Sequence, residues 1–155
     1  MAENEPYELQ RFVAAQDADS TYDRAVGELG RGQKVSHWMW FVFPQIAGLG
    51  RSALARRFAI SSREEALAYL HHPVLGPRLL ECTGIVSNSQ AQSAEQIFGN
   101  IDAQKLRSSM TLFMRADSAE PLFARVIERY FDGIPDLATD ERLHGHTSRP
   151  IHEGP

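Results

Sequence analysis

The sequence has little of several features that would point to a particular class of protein. Its 155 residues include one cysteine, Cys82, so no disulfide can form within the protein, which is typical of a reducing compartment. No apolar run approaches the roughly 20 residues that a membrane-spanning helix needs. The formal net charge is −4, whereas a general nucleic-acid binder normally carries a basic surface. The composition therefore argues against a membrane protein and against a nucleic-acid polymer as partner.

Targeting and metal signals are also lacking. The opening residues, MAENEPYELQ, are acidic and polar and contain neither the basic nor the apolar region of a secretory signal, so we expect a cytoplasmic protein. Neither HExxH nor CxxC occurs, and the set His144, His146 and His152 lacks carboxylate or thiol support. The sequence therefore predicts no metal and no cofactor.

Apolar residues recur at three- and four-residue spacing along most of the sequence, and this spacing predicts helices. The clearest stripe runs from residue 75 to residue 86 and places Cys82 in the core. Capping boxes at residues 62–65 and 93–96 mark two helix starts. No alternating run of β-branched residues indicates a sheet. The prediction is an all-α, single compact domain of about seven or eight helices.

The helical pattern lapses near Gly133. The remaining sequence, GIPDLATDERLHGHTSRPIHEGP, is rich in glycine, proline, aspartate and histidine, and such composition is typical of a loose terminus. We therefore predict a folded domain over residues 1–133 and a flexible tail over residues 134–155.

The densest cluster of unusual residues is KVSHWMWFVFPQIAGLGRS, residues 34–52. A short segment that is apolar on every side must be buried or line a cavity. One interpretation is a core helix whose indole and imidazole N–H groups find partners inside the protein. The other is a pocket in which Trp38 or Trp40 stacks on a flat ligand while His37 or Gln45 fixes its orientation.

A glycine-containing turn follows the aromatic residues. Gly48, Gly50 and Arg51 precede a predicted helix that begins after Ser52. Backbone N–H groups at a helix N-terminus suit an anion, and Arg51 could add forked donors to a phosphate or carboxylate. The turn is neither a Walker A loop nor a GxGxxG motif. A plain helix cap with exposed arginines is the simpler interpretation.

A third candidate element is KLRSSMTLF, residues 105–113. On a helix, Ser108 and Ser109 lie on the same side as Lys105, and a lysine can activate a neighbouring hydroxyl. No acid or oxyanion element accompanies them, however. Ser109 and Thr111 are instead expected to permit close helix packing or to hydrogen-bond a ligand.

Three runs of the sequence resemble a family of small bacterial proteins of unknown function: SHWMWFVFPQIAGLGRS, YLHHPVLGPRLLECT and SAEQIFGNIDAQKLRSSMTLF. Members are often labelled calpastatin, although the animal inhibitor of that name is a disordered repeat protein. The resemblance covers residues 7–133 and implies a compact multihelical cytoplasmic domain without an established activity. The shared motifs are polar, aromatic or glycine-containing rather than interchangeable aliphatics, which favours a pocket.

The leading hypothesis is a small-molecule site between residues 36–52 and 105–111 for an anionic aromatic, nucleotide-like metabolite. Should the protein be an enzyme, the expected reaction is hydrolysis of a phosphorylated or N-glycosidic metabolite, with His37 and Lys105 as catalytic candidates. The alternative is a non-catalytic protein-interaction module that uses the Trp/Phe-rich stretch as an apolar patch. We expect a monomer or a weak homodimer.

Overall fold

Helices form nearly all of the regular structure. A computed structural model describes residues 5–148, and within this range extended backbone pairs only at one isolated bridge, between Ile46 and Ile60. The all-α prediction is therefore confirmed. A 3-10 turn at Ala18–Ser20 joins the first two helices. The helices are α1 Gln10–Asp17, α2 Thr21–Gly30, α3 Met39–Val42, α4 Ala53–Arg57, α5 Arg63–His71, α6 Leu75–Ser87, α7 Ala94–Ala116, α8 Leu122–Tyr130 and α9 Leu137–Ser148.

Serine side chains begin three of these helices at the predicted positions. The Oγ atoms of Ser52, Ser62 and Ser93 each accept the backbone N–H three residues later, at 3.1, 3.1 and 3.0 Å. These bonds satisfy N–H groups that have no partner within the helix. Local sequence therefore sets where α4, α5 and α7 start.

Helix α7 is the centre of the domain. It packs against α5, α8 and α9, while α6 packs against α2, α5 and α8. Every residue from Ser108 to Phe113 is buried. The Phe113 ring lies 5.4 Å from the Tyr69 ring and 5.8 Å from the Phe123 ring, measured between centroids. Helix α7 therefore carries the core that the other helices cover.

Cys82 belongs to this core, as predicted. Its side chain is buried in the middle of α6. Burial raises the pKa of the thiol to about 12, because a thiolate is poorly stabilised among apolar neighbours. The thiol is therefore protonated near neutral pH and serves as a small core side chain.

The fold continues past the predicted boundary at residue 133. Helix α9 packs on α7, and its residues Thr139 and Leu143 are 0% and 5% exposed. Helical structure thus extends beyond residue 133, and within the described range Thr139 and Leu143 attach α9 to the rest of the helices. A single buried leucine among polar residues gives too weak a periodic signal to reveal this helix. The rest of the predicted tail, residues 149–155 with His152, lies outside the described residues.

Neither a membrane span nor a metal cluster is found in the described range. No helix within residues 5–148 has the length and hydropathy needed to cross a membrane. In the same range, no three histidine, cysteine, aspartate or glutamate side chains gather as ligands for a metal ion.

The corner between α5 and α6 requires a glycine at position 76. A Cβ atom there would lie 2.0 Å from the carbonyl oxygen of Leu70, whereas a Cβ at Gly84 in the same helix would meet no atom within 4 Å. We expect Gly76→Ala to lower the free energy of unfolding by roughly 2–3 kcal/mol, because the helices must move apart. Gly84→Ala should raise it by up to about 1 kcal/mol. Urea denaturation measures both, and equal stabilities would contradict the close approach.

Candidate functional site

One carboxylate organises the segment that leads into the aromatic stretch. Glu28, near the end of α2, is 2% exposed. Its Oε1 atom accepts the backbone N–H groups of Val35 at 2.8 Å and Ser36 at 3.0 Å. The Ser36 hydroxyl donates to Oε2 at 2.6 Å, and the Trp38 indole N–H donates to Oε1 at 2.8 Å. Four donors therefore fix residues 35–38 against α2.

These donors determine the protonation state of Glu28. Burial alone would raise the pKa of this carboxyl, but the hydrogen bonds from Ser36, Val35 and Trp38 outweigh it and lower the pKa to about 2. Each donor stabilises the charged form. The folded pKa lies below the unfolded value of 4.5. The carboxylate therefore contributes stability that is fully present above pH 4.5 and is lost as the pH falls toward 2.

We expect Glu28→Gln to destabilise the protein by roughly 1–3 kcal/mol at pH 7, since the amide cannot accept from all four donors. The stability difference between wild type and variant should shrink as the pH falls from about 5 to about 3, because wild type then loses the same contribution. Urea denaturation at several pH values measures this difference. A difference that does not change with pH would contradict a carboxylate with a lowered pKa.

The two tryptophans occupy different environments. Trp38 is fully buried, and its ring lies 6.3 Å from that of Phe43 and 6.5 Å from that of Phe98. Trp38 is therefore a core residue, and burial argues against its predicted role in stacking on a ligand. Trp40 is partly exposed, and the Nζ atom of Lys105 lies 4.8 Å from its ring centroid. Of the two indoles, only that of Trp40 is accessible.

The Trp/Phe-rich stretch does not form an exposed apolar patch. Met39, Val42 and Phe43 are buried together with Trp38. The protein-interaction hypothesis therefore loses the surface on which it was based. The large hydrophobic side chains that are exposed within residues 5–148 lie elsewhere, at Val35, Leu54, Ile101, Ile134 and Leu137.

Lys105 shares an aspartate with the other lysine of the protein. Lys34 Nζ lies 2.9 Å from Asp102 Oδ2, and Lys105 Nζ lies 3.5 Å from Asp102 Oδ1. Lys34 also donates to the carbonyl of Ser36 at 2.7 Å. Two cations facing one carboxylate leave a net positive charge. The Lys105 side chain is 26% exposed and that of Lys34 is 8% exposed, so Lys105 is the cation that an anion can reach.

The other candidates on the aromatic stretch lie at its edges. His37 is exposed, and Gln45 is partly buried with its carbonyl accepting the Ile60 N–H at 2.9 Å. Between residues 5 and 148, no hydrogen bond joins His37 to Lys105. The catalytic roles of His37 and Lys105 therefore stay predictions.

An arginine from α9 contacts the glycine turn. A Cβ atom at Gly48 would lie 2.7 Å from Nη1 of Arg142, and the Gly48 φ angle is +98°. The absence of a side chain thus lets a guanidinium pack directly on the turn. Sequence reasoning missed Arg142 because it assigned that residue to the tail.

The rest of the turn offers less to an anion than predicted. Helix α4 has only five residues, and Ser52 already accepts the Ala55 N–H. Little of a helix dipole is therefore available. Gly50 and Arg51 are both exposed. Anion binding at this turn would depend on Arg51 and Arg142 rather than on backbone N–H groups.

The hydroxyls of α7 hold the start of α9. Ser108 Oγ donates to Asp136 Oδ2 at 3.0 Å, and Thr111 Oγ1 accepts the Asp136 N–H at 2.9 Å. Asp136 also accepts the Thr139 N–H at 3.0 Å, which caps α9. Ser108 and Thr111 thus have a structural task that differs from the predicted ligand contact. Ser109 is fully buried, and its Oγ has no hydrogen-bond partner among the described residues.

We expect Thr111→Val to weaken the attachment of α9 by roughly 1–2 kcal/mol, because the Asp136 N–H loses its acceptor. Thr111→Ser keeps the hydroxyl and serves as the matched control. Hydrogen–deuterium exchange over residues 137–148 measures the effect. Exchange that is equally slow in Thr111→Val and wild type would contradict the structural assignment.

Two surface grooves lie away from the residues that the sequence predicted for the site. One, of about 1010 Å³, lies between the C-terminal ends of α2 and α6. The other, of about 540 Å³, lies beside Arg11, which donates to the carbonyls of Arg57 and Ala59 at 2.8 Å each. Neither groove is lined by residues 36–52 or 105–111.

The packed helices define a compact helical domain. Comparisons with known proteins assign this domain to a family. The model of the family described as "Protein of unknown function (DUF1810)" matches residues 6–143, so the chain belongs to that family. It is similar to the conserved hypothetical protein Rv1873 from Mycobacterium tuberculosis, solved by crystallography, with 52% identity and a TM-score of 0.86. The match covers 90% of this protein and 98% of that one. Among curated proteins, none matches.

Proposed function

We propose that this protein binds a small anionic ligand with a flat ring, of nucleotide-like chemistry, along the segment from Trp40 to Gly48. The observation that carries this proposal is a cation at each end of that segment. Lys105 lies 4.8 Å from the Trp40 ring centroid, and the Arg142 guanidinium packs on Gly48. A ligand that carries both a flat ring and an anionic group could contact the Trp40 ring and these cations at the same time.

The ring of the ligand would contact the indole of Trp40. This indole is partly exposed, whereas that of Trp38 is held in the core by Glu28. The indole face can stack on a flat ring, and the Lys105 ammonium beside it attracts negative charge. A fixed core tryptophan two residues earlier limits the movement of Trp40, so little ordering is needed on binding.

The anionic group would contact Lys105, Arg51 of the glycine turn and Arg142 of α9. Lys105 is only weakly paired, because Asp102 makes its shorter contact with Lys34. Arg51 and Arg142 are exposed, and a guanidinium can bind phosphate or carboxylate through two parallel hydrogen bonds. Gln45 and His37, at the edges of the aromatic stretch, would orient the ligand.

Ser109 supports a binding function on this side of α7. It follows Lys105 by four residues and therefore lies on the same side of the helix. A buried hydroxyl without a partner costs roughly 1–3 kcal/mol, and a bound water or ligand is one explanation for such a group. Any hydrolytic step on a phosphorylated or N-glycosidic ligand would fall to His37 as acid or base.

Tryptophan fluorescence, measured with AMP, adenosine and inorganic phosphate, distinguishes the contribution of the ligand's ring to binding from that of its anionic group. We expect AMP to quench the fluorescence, and adenosine to quench it with lower affinity. Lys105→Gln should weaken AMP by about tenfold, equivalent to about 1.4 kcal/mol, and leave adenosine unchanged. Trp40→Leu removes the fluorescent reporter, so its affinity is measured by titration calorimetry, and both compounds should bind more weakly to this variant than to wild type. Inorganic phosphate should bind without quenching and should compete with AMP.

Arg125→Gln is the matched control for charge, because Arg125 is an exposed cation on α8 outside the proposed site. It should bind AMP as wild type does. Equal AMP affinity in wild type and Lys105→Gln would contradict the proposal. So would quenching that persists when Trp40→Phe leaves Trp38 as the sole tryptophan, or a failure of AMP and adenosine to bind at all.

A further inference from the structure

A broad groove, away from the site proposed at Trp40, lies between the C-terminal ends of α2 and α6 and the segment that joins α6 to α7. Its volume is about 1010 Å³, and the larger apolar side chains that line it and are partly exposed are Leu80 and Ile85. Five of the side chains that line it are exposed primary amides: Gln33, Asn88, Gln90, Gln92 and Gln96. Such a concentration of amides in one groove gives it a distinct chemistry.

The groove is neutral and lacks aromatic side chains. Arg31 and Glu81 are the charged residues along it, and their formal charges cancel. Without an excess of cations, the groove does not favour a polyanion such as nucleic acid. Without an aromatic ring, it also lacks the apolar face on which a sugar ring would stack.

A primary amide has the same donor and acceptor groups as a peptide unit. Its NH2 group donates and its oxygen accepts, so it can pair with one backbone N–H and one backbone carbonyl of a bound peptide. An extended peptide exposes both groups along its length, while alternate side chains point to opposite sides. The apolar surface of the groove can receive one such side chain.

We propose that this groove binds an extended, uncharged peptide segment through its backbone, with an apolar side chain against Leu80 and Ile85. This site is separate from the one proposed at Trp40. Recognition would resemble the addition of a strand, except that side-chain amides replace a sheet edge.

The segment from residue 87 to residue 92, which carries three of the five amides, is held in place by Arg129 of α8. Arg129 donates from Nη1 to the Ser87 carbonyl at 2.6 Å and from Nη2 to the Ala91 carbonyl at 3.0 Å. Ser89 Oγ accepts the Ala91 N–H at 3.1 Å, and Gln96 Oε1 accepts the Gln92 N–H at 2.7 Å. These bonds fix the backbone that carries the amides, so the groove requires little ordering when it is filled.

Side-chain NH2 resonances provide a direct test. The probe is a capped uncharged heptapeptide, acetyl-Gly-Ser-Leu-Gly-Leu-Ser-Gly-amide, added to the 15N-labelled full-length protein. We expect the side-chain NH2 signals of the groove amides to change their chemical shifts. The signals of Gln10 and Gln104, which lie outside the groove, should keep theirs. A version of the peptide with alternate N-methylated units should bind at least about tenfold more weakly, because it lacks backbone donors.

Gly84→Leu tests the position of the peptide. A Cβ atom at Gly84 meets no atom within 4 Å, and Gly84 lines the groove, so leucine should fill the groove without straining α6. We expect this variant to abolish the shifts, whereas Gln10→Leu on the exposed face of α1 should bind as wild type does.

Three results would overturn the proposal: no shift of the groove amides with the peptide, equal binding of the N-methylated peptide, or full binding by Gly84→Leu with an unchanged circular dichroism spectrum. Shifts caused by maltohexaose but not by the peptide would assign the groove to carbohydrate and would also overturn it.

Discussion

The hydrogen bonds that converge on the Glu28 carboxylate determine how the aromatic segment is presented. They tie the segment after α2 to the helix itself, and they take the indole N–H of Trp38 into the core. Without this acceptor, the buried indole N–H of Trp38 would lack a partner, at a cost of roughly 1–3 kcal/mol. Because Trp38 is fixed inward, Trp40 is left at the surface beside Lys105.

Helix α7 then serves as the common support for both sides of the proposed site. Near its start, Asp102 binds Lys34 and contacts Lys105. Further along, Ser108 and Thr111 bind Asp136 and so attach α9. Helix α9 in turn places Arg142 against Gly48. Helix α7 thus carries Lys105 and, through α9, positions Arg142 on the glycine turn.

Local features of the fold could be predicted, and long-range pairings could not. The serine caps of α4, α5 and α7 and the buried stripe of α6 follow from residue type and spacing within a single turn or helix. Glu28 carries no local sign that it will accept from Trp38, because a glutamate on a helix is usually solvated. Helix α9 was missed because its attachment consists mainly of polar contacts at Asp136, which leave no apolar period.

The same distinction applies to the candidate site. The sequence drew attention to Trp40, Lys105 and Gly48 through their residue types. It could not separate Trp40 from Trp38, because two aromatic residues in one short apolar segment look alike until the core is known. It likewise could not show that Ser108 and Thr111 face α9. Both the burial of Trp38 and the contacts of Ser108 and Thr111 depend on tertiary packing, which cannot be predicted from the spacing of residues along one helix.

The most direct test of this account is an NMR pH titration of the Trp38 indole N–H, assigned by its persistence in Trp40→Phe. A donor to a carboxylate with a pKa of about 2 should keep its chemical shift from pH 7 down to about pH 3.5, because Glu28 stays ionised over that range. A shift with a midpoint near the ordinary glutamate value would show that the Glu28 carboxylate is not stabilised by its four donors. That result would contradict the account.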